Sequence, residues 1–352
     1  MNNTRFAVQQ LSALVEALFT EAGADAPVAR SVATVLLEGE LLGHRTHGLN
    51  LVARYLQGVL DGELQARAEA LEVVSNGPAS GLFDGHYVLG PYAVSEALSF
   101  AAQAAARGGV GMAVVRRAGH IGCLAAYLLP YTEQGLLPIL YSSDPAARLV
   151  SAHGGATPVL TPNPIAAGIP TPGLPILLDV SMSTITLGLL AQCRDRGEAL
   201  PHPVVVSHSG EVSSDPAAFF SDPPGSILPL GGLEFGHKGF ALGLLVEALT
   251  SALAGHGRKD HPEHWGASAT VLMVDPRAFG GLGAFIEETG YLAQLVKAST
   301  PRDPAQPVRL PGHAGLEKRQ HAREHGLLLH PAVVAALQGC AQRLGVAFPS
   351  PL

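Results

Sequence analysis

The chain has 352 residues, 47% of them hydrophobic and only 14% charged, a balance that excludes a disordered chain. Its length suggests about two domains and hides roughly three quarters of the unfolded surface. A net charge of −7 leaves no basic footprint for nucleic acid or an anionic membrane.

The first residues read as an amphipathic helix with Phe6, Leu11, Leu14, Val15 and Leu18 on one face, and Gln9, Gln10 and Glu16 interrupt any secretory apolar core. Asp25 is placed to cap a second helix carrying Pro27 in its first turn, then Val28, Val32, Val35 and Leu36, and ending near Gly43. A third amphipathic run, Leu49–Leu60, stops at Asp61 and Gly62, and a β-like piece follows at Leu71–Ser75. Gly90 and Pro91 open an alanine-rich helix that ends at Gly108 and Gly109, before a strand at Met112–Val115. The middle alternates: a helix from Cys123 to Tyr131, strands at Leu137–Ser142, Ile165–Ile169 and Ile176–Val180, and a helix from Ile185 to Cys193. A helix from Gly239 to Leu253, a strand at Thr270–Val274 and a helix from Ala284 to Lys297 follow. Ser299–Gly315 is proline-rich and reads as a long crossing loop, and Pro331–Leu344 is helical. Strands interleaved with helices predict an α/β core, and the helical ends predict a discontinuous helical domain built from both termini. The most apolar stretch, Gly239–Gly255, holds Glu247 and is too short to span a bilayer. Cys123, Cys193 and Cys340 are an odd, widely spaced set that fits reduced thiols in a cytosol better than a disulfide framework or a zinc site. The expectation is a soluble cytoplasmic protein with no nucleic-acid or membrane partner.

Several nucleotide and hydrolase motifs are absent. No G-x-G-x-x-G follows a strand, no G-x-S-x-G elbow exists, and the glycine-rich stretch 231–239 has Gly239 where a P-loop needs Ser or Thr. Four polar pieces remain, each with a structural and a functional reading. His44-Arg45-Thr46-His47-Gly48 sits between two helices: His47 is either a general acid with a pKa near working pH, or a packed residue after a Thr46 cap. Gly119-His120-Ile121-Gly122 follows a strand, so His120 is either a second acid/base group or a loop residue bonded to backbone. Asp179 to Thr184 joins a strand to a helix: Ser181, Ser183 and Thr184 with free N–H groups form either a phosphate cradle or ordinary capping, and Asp179 can orient a histidine or bind a ribose hydroxyl. Lys238, between Gly236-His237 and Gly239 at a helix start, is either an anion contact or a solvated lysine.

The segments GHRTHGL, GHIGCLAAY, TPNPIAAGIPTP, LLDVSMST, the SDP at Ser214–Pro216, LPLGG with GHKGFALGLLVEALTSALAG, and VRLPGHAG stand in an order and spacing that resembles the malate/L-lactate/L-sulfolactate dehydrogenase family. That family comprises non-Rossmann NAD(P)-dependent oxidoreductases, including diketogulonate reductase, ureidoglycolate dehydrogenase and piperideine-2-carboxylate reductase types. The resemblance runs from about residue 5 to residue 345. It implies a mixed-sheet α/β domain holding NAD or NADP at 76–284, a discontinuous helical domain at 1–75 and 285–352, and a homodimer. It implies hydride transfer between NAD(P)H and a small 2-oxo or 2-hydroxy acid, or a cyclic imino acid. By the same resemblance His47 is the proton donor, with Thr46 in place of the family's serine, and His120 is the second histidine of a pocket that also holds Thr161. Cofactor contacts fall on Ser181, Met182, Ser183 and Thr184, on His237 and Lys238, and on Gly312 with His313 replacing the family's glutamate. The family's arginine four residues after the donor histidine is Leu51 here, and its arginine in the cofactor helix is Leu187. Arg45 or Arg54 then becomes the candidate for gripping a substrate carboxylate. The other reading is a diverged homologue acting on a non-carboxylate substrate, or a cofactor-binding protein without turnover.

Overall fold

The computed structural model describes residues 4–352. These divide into two compact units, one made of 4–140, 166–179 and 271–352 and the other of 141–165 and 180–270.

The first unit is α/β. Its sheet has the strand order Glu72–Asn76, Ser80–Asp84, Val110–Ala118, Ala267–Val274, Leu137–Ser143, Ile165–Ile169, Ile176–Val180. The first two strands pair antiparallel and the second and third parallel, so the sheet is mixed. The helix Gly90–Gly108 returns along the sheet into Val110–Ala118 and buries Ala93, Val94, Ala97, Leu98 and Ala101. It stops where the sequence predicts, because Gly109 adopts φ +82°, a left-handed conformation that glycine takes without a Cβ penalty. The helices Val8–Glu21 and Ala26–Leu41 pack together, and Leu11, Leu14, Val15, Leu18, Val28, Val32, Val35 and Leu36 are all buried as their 3.6-residue spacing requires.

Several local expectations are corrected. Phe6 is buried, but in the strand Thr4–Phe6, which pairs antiparallel with Leu327–Leu329, not on the helix. Asp25 precedes its helix without capping it: its carboxylate accepts the Ala68 N–H at 2.8 Å and pairs with Arg67 at 3.1 Å. Cys123–Tyr131 is not one helix but a 3-10 turn, Leu124–Tyr127, and a single turn, Leu129–Thr132. The proline-rich loop ends sooner than expected, at the helix His313–His325, which ion-pairs to Glu38 through Arg319 and Arg323. The terminal helix Pro331–Leu344 matches its predicted bounds.

The second unit holds a five-stranded sheet in the order Val212–Ser213, Val205–Val206, Ser226–Ile227, Val150–Ser151, Pro158–Leu160. Its core gathers Val150, Leu160, Leu190, Val205, Phe219 and Ile227. The helix Leu187–Arg196 is capped by the Thr186 hydroxyl, which accepts the Leu189 N–H. The apolar helix begins at Gly232, seven residues before its expected start, and runs to Glu247, continuing as a π-turn at Ala248–Ala252. Glu247 is a structural partner, paired with Arg258 at 2.6 Å and with Asn163 at 3.1 Å. Among the described residues no helix is long and apolar enough to cross a membrane.

Candidate functional site

The first unit assembles a histidine pair from segments far apart in sequence. His47 lies on the 3-10 turn Arg45–His47 after the second helix. Gly48 holds that turn close: a Cβ there would stand 2.6 Å from the Glu40 carboxylate and 2.8 Å from its backbone nitrogen. Glu40 accepts the Leu49 N–H at 3.1 Å, and burial raises its carboxyl above the ordinary value. His120 lies just past the strand Val110–Ala118, where Gly90 admits its backbone. A Cβ at Gly90 would stand 2.2 Å from the Gly119 carbonyl oxygen. The two rings stack with centroids 5.6 Å apart and planes 27° apart.

The hydrogen bonds assign His120 its tautomer. The Gly122 N–H donates to its Nδ1 at 3.2 Å, and the Tyr55 hydroxyl lies 2.7 Å from the same nitrogen. An Nδ1 that accepts a backbone N–H carries no proton, so the neutral ring holds its hydrogen on Nε2. Burial, the neighbouring His47 and the Arg54 charge push the pKa down to about 3, so the ring is neutral at working pH. Tyr55 escaped the reading of the sequence. Its signal is a tyrosine on the core face of an amphipathic run, where a buried hydroxyl must find a partner. Tyr127 steadies the same loop by donating to the Ile121 carbonyl at 2.5 Å.

His47 has the Thr46 hydroxyl 2.9 Å from Nδ1, leaving Nε2 as its other proton-bearing atom. Burial lowers its pKa, the Asp179 carboxylate opposes that fall, and His44 adds to it. Asp179, near the end of the strand Ile176–Val180, is oriented by the Ala125 N–H at 2.9 Å and by the Cys123 thiol at 3.5 Å. His47, His120 and Asp179 are thus brought together. A neutral N–H donor and a titrating imidazole in one field can polarise and protonate an oxygen or nitrogen.

The two arginines part company. The positive field of Arg54 reaches both His120 and Tyr55, whereas that of Arg45 reaches Glu40. Leu51 is 8% exposed, so the position of the family arginine is part of the core. Gly312, at φ +81°, packs against Leu177, where a Cβ would stand 2.7 Å from the carbonyl oxygen. His313 opens the helix His313–His325, and its buried Nε2 lacks a hydrogen-bond partner.

The remaining candidates lie in the second unit. Thr161 is buried and donates to Asn163 Oδ1 at 2.5 Å. The hydroxyls of Ser181 and Ser183 are 3.1 Å apart, Ser183 donates to the Ile185 carbonyl, and Thr184 donates to the Leu228 carbonyl. Of the N–H groups expected to be free, that of Thr184 already bonds the Leu228 carbonyl, and the neighbouring Met182 N–H bonds the Pro162 carbonyl. Lys238 is not at a helix start but in the second turn of Gly232–Glu247, with Nζ 5.2 Å from the Phe235 ring centroid. His237 is exposed and lies edge-on to His153.

The chain is similar to known proteins over nearly its whole length. A family profile described as malate/L-lactate dehydrogenase matches residues 6–338. A malate dehydrogenase from Pyrococcus abyssi is 28% identical, over 98% of this chain and 96% of its own. A delta(1)-pyrroline-2-carboxylate reductase from Ancylobacter novellus is also 28% identical, over 96% of this chain and 98% of its own. The crystal structure of a delta1-piperideine-2-carboxylate reductase from Pseudomonas syringae superposes with a TM-score of 0.84 at 26% identity, covering 97% of this chain and 100% of that one. With the profile spanning nearly the whole length, the chain belongs to the malate/L-lactate dehydrogenase family.

Proposed function

We propose that this chain is an NAD(P)-dependent oxidoreductase that interconverts a small 2-oxo acid and its 2-hydroxy acid, or reduces a cyclic imino acid, with His47 as proton donor. The observation that carries the reading is the stacked His47–His120 pair with Asp179 acting on His47. Relatives named malate, lactate and sulfolactate dehydrogenase on one side, and pyrroline-2-carboxylate reductase on the other, support both substrate classes.

The residues fit a nicotinamide cofactor, NAD or NADP. In the first unit we assign Gly312 and His313 to the cofactor: the buried His313 Nε2 has no hydrogen-bond partner and stands at a helix N-terminus suited to an anion. In the second unit we propose Ser181, Met182, Ser183, Thr184, His237 and Lys238 as cofactor contacts. That unit falls wholly within 76–284, the stretch we assign to the cofactor-binding part, with 1–75 and 285–352 as the helical part. Bound there, the reduced nicotinamide supplies the hydride. The protein's own residues do the rest. His120 Nε2–H meets the charge that develops on the substrate's oxygen or nitrogen, and Tyr55 holds that ring in place. His47 passes a proton from Nε2, and Asp179 stabilises its charged form beforehand. In the oxidising direction neutral His47 takes the proton back.

The test is a panel of 2-oxo acids and cyclic imines with NADH and NADPH, followed by loss of reduced-cofactor absorbance. Consumption with one class supports the reading. Cofactor fluorescence without consumption favours the second reading, a binding protein or an enzyme of a non-carboxylate substrate, which buried Leu51 motivates. Against that second reading stands Arg54, whose field reaches His120. Arg54→Ala is expected to raise KM for a carboxylate substrate about 10–100-fold, as loss of a charge-assisted contact requires, with kcat within a few-fold. An unchanged KM removes Arg54 from the substrate's path.

The family also implies a homodimer, and the surface supports it. Leu233, Phe235, Leu242, Leu244 and Leu245 are exposed on the helix Gly232–Glu247, as are Tyr291, Leu292 and Leu295 on Leu282–Ala298. Large apolar side chains left exposed on a helix suit an association surface. Light scattering is expected to return twice the mass of the 36.3 kDa chain, and a single-chain mass sets the dimer aside. The free cysteines suit a reducing cytoplasm.

A further inference from the structure

His44, Cys123 and Asp179 each present a ligand atom, and these three atoms lie within 4.8 Å of one another. They come from three separate segments: the residue before the turn Arg45–His47, the start of the turn Leu124–Tyr127, and the strand Ile176–Val180. No sequence spacing announces such a set, which is why the cysteines on their own point away from a metal. The geometry points to a site for a thiophilic divalent cation, zinc above all, built from His44, Cys123 and Asp179.

The distances suit the ion. Bonds of about 2.3 Å to sulfur and about 2.0 Å to oxygen, at a tetrahedral angle, separate the two ligands by about 3.5 Å. Cys123 Sγ and Asp179 Oδ2 are 3.5 Å apart. The S–H···carboxylate contact thus already has the length of one edge of the coordination tetrahedron. His44 is exposed, so its ring can swing in to complete a second edge without disturbing the core. The Ala125 N–H on Asp179 Oδ2 supplies the outer hydrogen bond that fixes a ligating carboxylate. One histidine, one thiolate and one carboxylate leave a fourth position open to water. Binding replaces the thiol proton: Cys123 S–H and the cation give the cation-bound thiolate and one proton released to solvent. No electron is transferred.

The test is a titration of the full chain with Zn²⁺ against a coloured chelator, together with Co²⁺ absorption. The expected result is one tight ion per chain, one proton released and a thiolate-to-cobalt charge-transfer band. Cys123→Ser and His44→Ala each weaken binding by roughly 10–100-fold or more, and Cys123→Ser abolishes the band. His44 is on the surface, so its variant keeps the proposal testable if the buried Cys123 variant fails to fold. The stacked pair His321 and His325 is the competing site for an added cation, and it carries no sulfur. Binding that lacks the charge-transfer band, or that is unmoved by both variants, overturns the proposal.

Discussion

His47→Ala is expected to lower kcat about 10²–10⁴-fold, the range for loss of a positioned general acid, while the affinity for NADH or NADPH read by cofactor fluorescence stays within a few-fold. The split follows from geometry: the imidazole has Thr46, His120 and Asp179 around it, and none of the cofactor residues proposed above is among them. The pH profile carries the sign. Burial lowers the pKa below the ordinary 6.5, with His44 adding to the fall, Asp179 opposing it, and the neighbouring His120 neutral. Reduction needs the protonated ring, so reductive kcat/KM falls as pH rises through that lowered value. Oxidation needs the neutral ring, so the oxidative rate rises over the same window. An alanine variant that loses cofactor affinity and turnover together, or neither, rejects the assignment.

His120→Ala is expected to lower kcat about 10²–10³-fold, the usual loss when one preorganised donor to a developing charge is removed. The two histidines are distinguishable. His120 stays neutral down to a pH near its value of about 3, so its removal changes the height of the pH profile and not the position of the limb that His47 sets. Tyr55 and Gly122 hold the ring by Nδ1 and leave its hydrogen on Nε2 before any substrate arrives, which is the preorganisation that makes such a donor effective. A His120→Ala enzyme with wild-type kcat, or one whose pH limb moves while its maximum holds, would assign the donor role elsewhere.

What the sequence determined by itself is the set of features with short-range causes. The alanine-rich helix stops at Gly109 because glycine tolerates φ +82°, and Pro331 opens the last helix because its missing N–H lies among those that go unbonded at a helix start. The periodic burial of Leu11, Leu14, Val15 and Leu18 has the same local origin. The ordered motifs around His47, His120 and Asp179 likewise stand in the chain as written, and with them the family. Tertiary structure decided what depends on partners distant in sequence. Phe6 joins a strand because Leu327 pairs with it across the fold. The loop after Ser299 gives way to a helix whose arginines reach Glu38. Tyr55, 65 residues from His120, settles which nitrogen of that ring holds the proton. Asp179, 56 residues from Cys123, meets its thiol only once the strands are in place. Neither contact has a period or a spacing, since each is set by where separate segments end, and sequence pattern is blind to that.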